Sequence, residues 1–202
     1  MALSAIAINC SLSRTRSRKS STDAMIAVLA EAFATHDVTL SETIRIADHD
    51  VLPGVSRNEG PGDAWPEICD RILAHDILVF GTPIWMGQIS SVAKRVLERM
   101  DAFLSDVDEQ GRMPSYSKVA VAAIVGNEDG AHWASSQLFQ SLNDTGWTIP
   151  AVAASYWVGE AMGSVDFVDL DHRPRKVTET ARMVAGNAAH LAGLLKGSPY
   201  PG

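Results

Sequence analysis

The sequence predicts a doubly wound α/β domain, in which helices cover both faces of a mainly parallel β-sheet. Strand-like and helix-like patterns alternate from one end of the chain to the other. Two continuous apolar runs, "DILVFG" at 76–81 and "KVAVAAIV" at 118–125, are typical of strands that helices bury on both faces. The 202 residues are 46% hydrophobic and show no internal repeat or linker, so we predict a single domain over 1–202.

Each predicted strand is followed by a predicted helix. The strands cover 5–9, 38–46, 76–81, 118–125 and 149–158. Apolar residues at helical spacing mark the helices at 25–33, 65–72, 92–103, 134–142 and 177–195. Asp63 is a candidate cap for the second helix, and the glycines and prolines between Asp48 and Asp63 predict an irregular connection before it.

Charge and cysteine content narrow the class of protein. The formal net charge of −7 does not favour nucleic acid or an anionic membrane as partner, although Arg14, Arg16, Arg18 and Lys19 form one basic patch. Two isolated cysteines without ligand spacing predict reduced thiols and no metal site, which is typical of a cytoplasmic protein. The apolar start of the chain is expected to be a strand rather than a signal sequence, and no run has the length of a membrane span.

The loop after the first strand, "CSLSRTRSRKSST" at 10–22, combines hydroxyl and cationic side chains. In doubly wound sheets, ligands bind beyond the carboxyl ends of the strands. The Ser20-Ser21-Thr22 cluster meets the start of a predicted helix, where unpaired amides and the helix dipole favour an anion. N-capping by Ser20 or Ser21 is the alternative and uses the same geometry. We predict a phosphate site here, although the glycine patterns of a Walker loop and of a dinucleotide fingerprint are both missing.

The loop after the third strand, "GTPIWMG" at 81–87, places apolar side chains at the open end of the sheet. Pro83 fixes the backbone, while Gly81 and Gly87 allow tight turns. Backbone amides are expected to be unpaired by the sheet and to face a ligand. The apolar members are Ile84, Trp85 and Met86. This combination suits a flat heteroaromatic ring with polar edges, and the alternative is that Trp85 packs against a helix or a dimer partner.

The loop after the fourth strand, "GNEDGAH" at 126–132, has a similar character. Its glycines, Gly126 and Gly130, permit close approach of the backbone. Its polar residues, Asn127, Glu128 and Asp129, can contact ring edges or fold into an ordinary turn. His132 is either a helix-start residue or a group at the edge of the ring.

These segments together resemble the flavodoxin-like NADPH-dependent FMN reductases, with their quinone- and azo-reducing relatives. The residues that carry the resemblance are the Ser-rich first loop, "TPIWMGQISSVAKRVLER" at 82–99, and "VGNEDGAH" at 125–132. The resemblance covers nearly the whole chain and implies a flavodoxin-like five-stranded parallel sheet of order 2-1-3-4-5. It departs from many members at Cys10 and Leu12, where those proteins have glycine and a different neighbour, and the first loop is longer and more basic.

The resemblance also implies cofactor residues. The FMN phosphate would meet Ser11, Ser13, Ser20, Ser21 and Thr22. The isoalloxazine ring would meet Pro83, Ile84, Trp85, Met86 and Gly87 on one side, and Gly126, Asn127, Glu128, Asp129 and Gly130 on the other. The basic residues of the first loop would contact either that phosphate or the extra phosphate of NADPH.

The implied activity is that of an FMN-dependent oxidoreductase. Electrons would pass from NADPH or NADH through the flavin to a quinone, azo compound, metal ion or free flavin. No side chain is assigned as general acid or base, because the flavin carries the chemistry. The alternative is a flavodoxin-type electron carrier without a substrate of its own. A homodimer or homotetramer is implied, with Trp157 and Met162 as candidate exposed contact residues.

Overall fold

The computed structural model describes residues 2–16 and 19–201. The strands are β1 (Leu3–Asn9), β2 (Val38–Arg45), β3 (Ile77–Trp85), β4 (Gln88–Ile89), β5 (Val119–Gly126) and β6 (Ala154–Val158). The helices are α1 (Ser21–Ala34), α2 (Trp65–Leu73), α3 (Ser91–Met100), α4 (Ala131–Asp144) and α5 (Arg175–Gly197). In the described part of the chain, no helix is both long enough and apolar enough to cross a membrane.

Five of the strands form one parallel sheet in the order β2-β1-β3-β5-β6. Numbered among the parallel strands alone, this order is 2-1-3-4-5, so the predicted flavodoxin-like fold is confirmed. The short β4 is an addition, because it pairs antiparallel with the end of β3. The strand order reverses between β1 and β3, which brings the loops after these two strands together at the carboxyl edge of the sheet.

Alternate residues of the central strands enter two separate cores. Ile8 and Phe80 belong to the core that contains residues of α2, α3 and α4, whereas Ala7 and Val79 belong to the core beneath α1 and α5. All four side chains are fully buried. This two-sided burial explains the continuous apolar runs in the sequence, since neither face of a central strand meets water.

The last predicted strand starts later than expected. Residues 149–153 lie outside β6, and they include Pro150 and a turn in which Val152 has a φ of +54°. Proline lacks the amide that a sheet ladder needs, which accounts for the late start. Trp157 is only partly exposed, because its ring packs on Phe167 with centroids 5.5 Å apart, whereas Met162 is 94% exposed.

The third strand extends further than predicted. It continues past Gly81 to Trp85, because the chain then reverses in a tight hairpin that pairs Ile84 with Ile89 and Trp85 with Gln88. The irregular connection before α2 is confirmed. Asp63 lies one residue before the Ala64 cap, where it accepts a hydrogen bond from the Trp65 amide at 3.1 Å.

Candidate functional site

A buried polar network organises the loop after β1. The Asn9 side-chain amide donates to the Ser20 hydroxyl at 3.1 Å, and its oxygen accepts from the amide and the hydroxyl of Ser11 at 2.8 and 2.6 Å. The two serine hydroxyl oxygens lie 3.0 Å apart. Asn9, Ser11 and Ser20 are all buried. The network therefore holds two of the predicted phosphate residues side by side at the carboxyl end of β1.

Ser20 is the N-cap of α1, and its hydroxyl accepts from the Asp23 amide at 3.2 Å. The first amides of a helix have no partner within the helix. The amides of Ser21 and Thr22 therefore remain at the helix start, and neither donates to a described residue. Capping by Ser20, one of the two alternatives that the sequence left open, is therefore present, and the phosphate site at this helix start stays a prediction.

The other predicted phosphate residues differ in position. The Ser21 hydroxyl accepts from the Val168 amide at 3.2 Å, and the buried Thr22 side chain faces Gly81, where a Cβ atom would lie 2.8 Å from the Thr22 methyl group. Ser13 is partly exposed and contributes its carbonyl oxygen to Arg45 at 3.0 Å. Of the predicted basic patch, Arg16 and Lys19 are exposed, Arg14 is exposed and has a partner, and Arg18 lies outside the described residues together with Ser17.

The turn of the β3–β4 hairpin is clamped by a carboxylate. The amides of Met86 and Gly87 donate to the two oxygens of Glu128 at 3.1 and 2.9 Å. Both residues have positive φ, 55° and 73°, as a two-residue hairpin turn requires. The sheet leaves these two amides unpaired, as expected, but the expectation that they are free to face a ligand is wrong, because the Glu128 side chain in the loop after β5 accepts from both. Trp85 and Met86 are 47% and 88% exposed beside the clamp, while Ile84 is buried and Pro83 partly exposed.

Glycines allow the loop after β3, at 81–87, to touch the loop after β5, at 126–132. A Cβ atom on Gly130 would lie 2.6 Å from the Cα atom of Gly87, and one on Gly126 would lie 2.8 Å from the Cβ atom of Ile84. A side chain at either position would therefore force the neighbouring loop to move. The close approach predicted for both glycines is thus present, and the partner in each case is the loop after β3. Asp129, between them, is exposed.

Asn127 holds a neighbouring segment that the sequence did not indicate. Its side-chain amide lies within hydrogen-bonding distance of the carbonyl oxygens of Gly163 and Val165 and of the Asp166 carboxylate, at 3.0 to 3.3 Å. The main-chain carbonyl oxygen of Asn127 accepts from the Met162 amide at 3.0 Å. Because the Val168 amide donates to the Ser21 hydroxyl, the segment 159–168 connects the loop after β5 to the end of the loop after β1. The Asn127 amide group is therefore engaged within the chain, and its buried side-chain oxygen has no partner in the described part of the chain.

An aromatic pair stands where α4 begins. The His132 Nε2 atom lies 3.0 Å from the Tyr156 hydroxyl, and the two rings meet edge to face with centroids 5.3 Å apart. Both residues are exposed, and so is the next residue, Trp133, at 58%. The carboxyl edge of the sheet thus carries several large apolar and aromatic side chains in contact with solvent.

Neither cysteine has the features of a reactive or ligating thiol. Burial raises the pKa of Cys10, and it raises the pKa of Cys69 to about 12. Both thiols are free and buried. Within the ranges 2–16 and 19–201, no cluster of three or more His, Cys, Asp or Glu residues could hold a metal ion.

Sequence reasoning missed three features of this site: Asn9, Arg45 and the segment 159–168. Asn9 is the last residue of β1, and a lone asparagine at a strand end gives no signal of the four contacts that it makes. Arg45 ends β2, whose carboxyl end neighbours that of β1, but a single arginine in the alternating run 38–46 gives no signal of a site. Within the segment 159–168, the sequence indicated only Met162, as a candidate oligomer contact.

Comparisons with known proteins identify the family of the chain. A family model described as NADPH-dependent FMN reductase matches residues 3–162. The chain is 30% identical to 8-demethyl-8-aminoriboflavin-5'-phosphate synthase of Streptomyces davaonensis over 210 residues, which cover 99% of this chain and 81% of the synthase. It is 36% identical over 171 residues to a protein named divalent metal cation transporter MntH of Mycobacterium bovis; these cover 83% of this chain but only 25% of that protein.

Solved structures of flavin-related proteins superpose on the chain as well. RosB with bound 8-demethyl-8-formylriboflavin-5'-phosphate superposes with a TM-score of 0.86 at 28% identity, over 98% of this chain and 82% of RosB. An NADH:FMN oxidoreductase superposes with a TM-score of 0.65 at 18% identity, over 95% and 89% of the two chains, which shows the shared fold alone.

Proposed function

The chain belongs to the NADPH-dependent FMN reductase family, and from this premise we propose that it passes electrons from NADPH or NADH through FMN to a planar aromatic acceptor. As a family member it is an NAD(P)H-dependent oxidoreductase that uses FMN. When bound, FMN supplies the hydride and electron chemistry. The acceptor and the residues that hold the flavin belong to the proposal.

The described residues fit FMN. The FMN phosphate would be bound by the amides of Ser21 and Thr22 at the start of α1. The neighbouring hydroxyls of Ser11 and Ser20 suit the same group. The exposed Trp85 and Met86 side chains offer apolar surface to a flat ring. The close contact of Gly130 with Gly87 holds the loops 81–87 and 126–132 together. The observation that carries the proposal is that the three loops meet at one edge of the sheet, where the first amides of α1 lie near the loop that exposes Trp85 and Met86.

An aromatic acceptor suits this site better than a hydrated metal ion. Trp85, Met86, Trp133 and Tyr156 expose apolar or aromatic surface at the same edge. Such surface favours the flat faces of a quinone, an azo compound or a second flavin. A homo-oligomer, a cytoplasmic location and the absence of a nucleic-acid partner stay predictions.

A second candidate function takes the flavin phosphate as substrate. It is favoured by the similarity to a synthase named for an aminoriboflavin phosphate and to a structure with a formylriboflavin phosphate bound. In this case the flavin would be altered and released instead of remaining as a cofactor.

The test is the visible spectrum of purified protein mixed with FMN, recorded anaerobically before and after addition of NADPH. We expect bound flavin that loses its absorbance within seconds and recovers it on addition of a quinone. Bound flavin that only dithionite reduces would favour an electron carrier, and absence of FMN binding would refute the proposal. Mass spectrometry of the flavin after turnover separates the two candidates, because only a flavin-modifying enzyme changes its mass.

A further inference from the structure

Arg45 is a buried cation directly beside the first loop. It ends β2, and its side chain is 6% exposed. The Nη1 atom donates to the Ser13 carbonyl oxygen at 3.0 Å, and the Nη2 atom forms an ion pair with the Asp23 carboxylate. Its Nε atom is buried without a partner among the described residues. Burying an arginine with one unpaired donor costs free energy, and the two contacts of its Nη atoms offset that cost.

Asp23 is an unexpected residue for an anion site. It lies in the first turn of α1, three residues after the Ser20 cap, and its carboxylate also accepts from the Asn9 amide. An acidic residue in this turn stabilises the helix dipole, but it would repel a phosphate at the same helix start. Asp23 is 44% exposed, so its charge is not removed by burial. A phosphate should bind there more tightly when another group offsets that charge.

We propose that Arg45 is a positioning residue of the FMN phosphate site, where it neutralises Asp23 and fixes the loop at Ser13. The proposal rests on the function proposed above. Arg45 touches both the helix that supplies the amides and the loop that supplies the hydroxyls. Because its charge is buried, its effect is screened by salt less than the effect of the exposed Arg16 and Lys19.

The experiment compares FMN with riboflavin, which has the same ring without the phosphate. Dissociation constants are measured by fluorescence titration for the wild type and for Arg45→Met. We expect FMN binding to weaken about tenfold or more, since the charged hydrogen bonds and the offset of Asp23 are both lost. Riboflavin binding should change less than twofold. Equal loss for both ligands, or no loss for either, would overturn the proposal.

Asp23→Asn is the second variant for the FMN and riboflavin titrations. Added to Arg45→Met, it removes the repulsive charge and should restore most of the lost FMN affinity. Alone, it releases the charge of Arg45 and should tighten FMN relative to riboflavin. If circular dichroism shows that Arg45→Met is unfolded, the single Asp23→Asn variant is the test. A preference for FMN over riboflavin that is unchanged or weaker than in the wild type then refutes the proposal.

Arg173→Met is the matched control. Arg173 also pairs with a carboxylate of α1, Glu31, in the second half of the helix. It should leave the affinities for both ligands unchanged. If the wild-type protein binds neither FMN nor riboflavin, the proposed function fails; if it binds FMN normally and Arg45→Met keeps the same FMN preference, only the assignment of Arg45 fails.

Discussion

Gly130 lies directly against Gly87: a Cβ atom on Gly130 would stand 2.6 Å from the Gly87 Cα atom. Gly130 also has a φ of +125°, a conformation that side chains strongly disfavour. Gly130→Ala should therefore force the loop before α4 away from the β3–β4 hairpin and destabilise the protein by about 1–3 kcal/mol. Thermal unfolding measures this cost, and FMN titration should show weaker binding because the two loops that we propose for the flavin ring, 81–87 and 126–132, separate.

Gly193→Ala is the control for that variant. Gly193 lies within α5, and a Cβ atom there would meet nothing within 4 Å. Alanine is favoured over glycine in a helix by about 1 kcal/mol, so this variant should be slightly more stable than the wild type with unchanged FMN binding. A Gly130→Ala protein as stable as the wild type would show that the loop contact is not tight.

Glu128 clamps the hairpin through two amides, and Glu128→Ala should release them. The loss of two hydrogen bonds to a carboxylate should lower stability by about 1–3 kcal/mol, with Glu128→Gln intermediate because an amide keeps one acceptor oxygen. Asp129→Ala is the matched control, since Asp129 is an exposed carboxylate one residue away. Equal melting temperatures for Glu128→Ala and Asp129→Ala would contradict a structural role for the clamp.

The sequence predicted the sheet well for a physical reason. Strands buried on both faces must be continuously apolar, so the runs that became β3 and β5 were visible without any tertiary information. The run 149–153 was misleading because Ile149 and Val152 are apolar, although Ile149 precedes Pro150 outside any strand and Val152 lies in a turn. Local hydrophobicity alone cannot distinguish these cases.

The candidate site was predicted at the level of loops and not of contacts. Glycines and apolar residues identified the loops, because such loops have a distinctive composition. The use of each polar group could not be foreseen, since Glu128 bonds amides 41 and 42 positions earlier in the chain and Asn127 bonds a segment 36 to 39 positions later. Such hydrogen-bond partners come together only when the chain has folded, so local sequence does not reveal them.

Trp85 should contact the flavin if the proposed ring site is right. Replacing a stacked aromatic side chain costs about 1–3 kcal/mol, so Trp85→Ala should weaken FMN binding by roughly tenfold or more. The quenching of tryptophan fluorescence by added FMN should also decrease. Trp133→Ala is the comparison, because Trp133 is similarly exposed but lies on α4. Equal FMN affinity of the Trp85→Ala variant and the wild type would remove Trp85 from the site.

Asp63 and Arg99 form a fully buried ion pair at 2.7 Å that fixes the connection before α2. Arg99 also donates to the carbonyl oxygens of Leu52 and Ser56. Burial alone would raise the pKa of Asp63, but hydrogen bonds from Arg99 and from three main-chain amides lower the pKa to about 2. The ordinary unfolded value is near 4, so the pair contributes stability above pH 4 that is lost as the pH falls towards 2.

Asp63→Asn keeps the shape of the side chain but leaves the Arg99 charge unpaired. We expect a loss of about 3–5 kcal/mol in the free energy of unfolding at pH 7. The difference from the wild type should narrow between pH 4 and pH 2, because the wild-type carboxylate loses its advantage there. Urea unfolding at several pH values measures both effects. A constant difference across this range would show that the charge of Asp63 does not stabilise the fold, whereas a narrowing difference assigns the acid sensitivity of the connection to this pair.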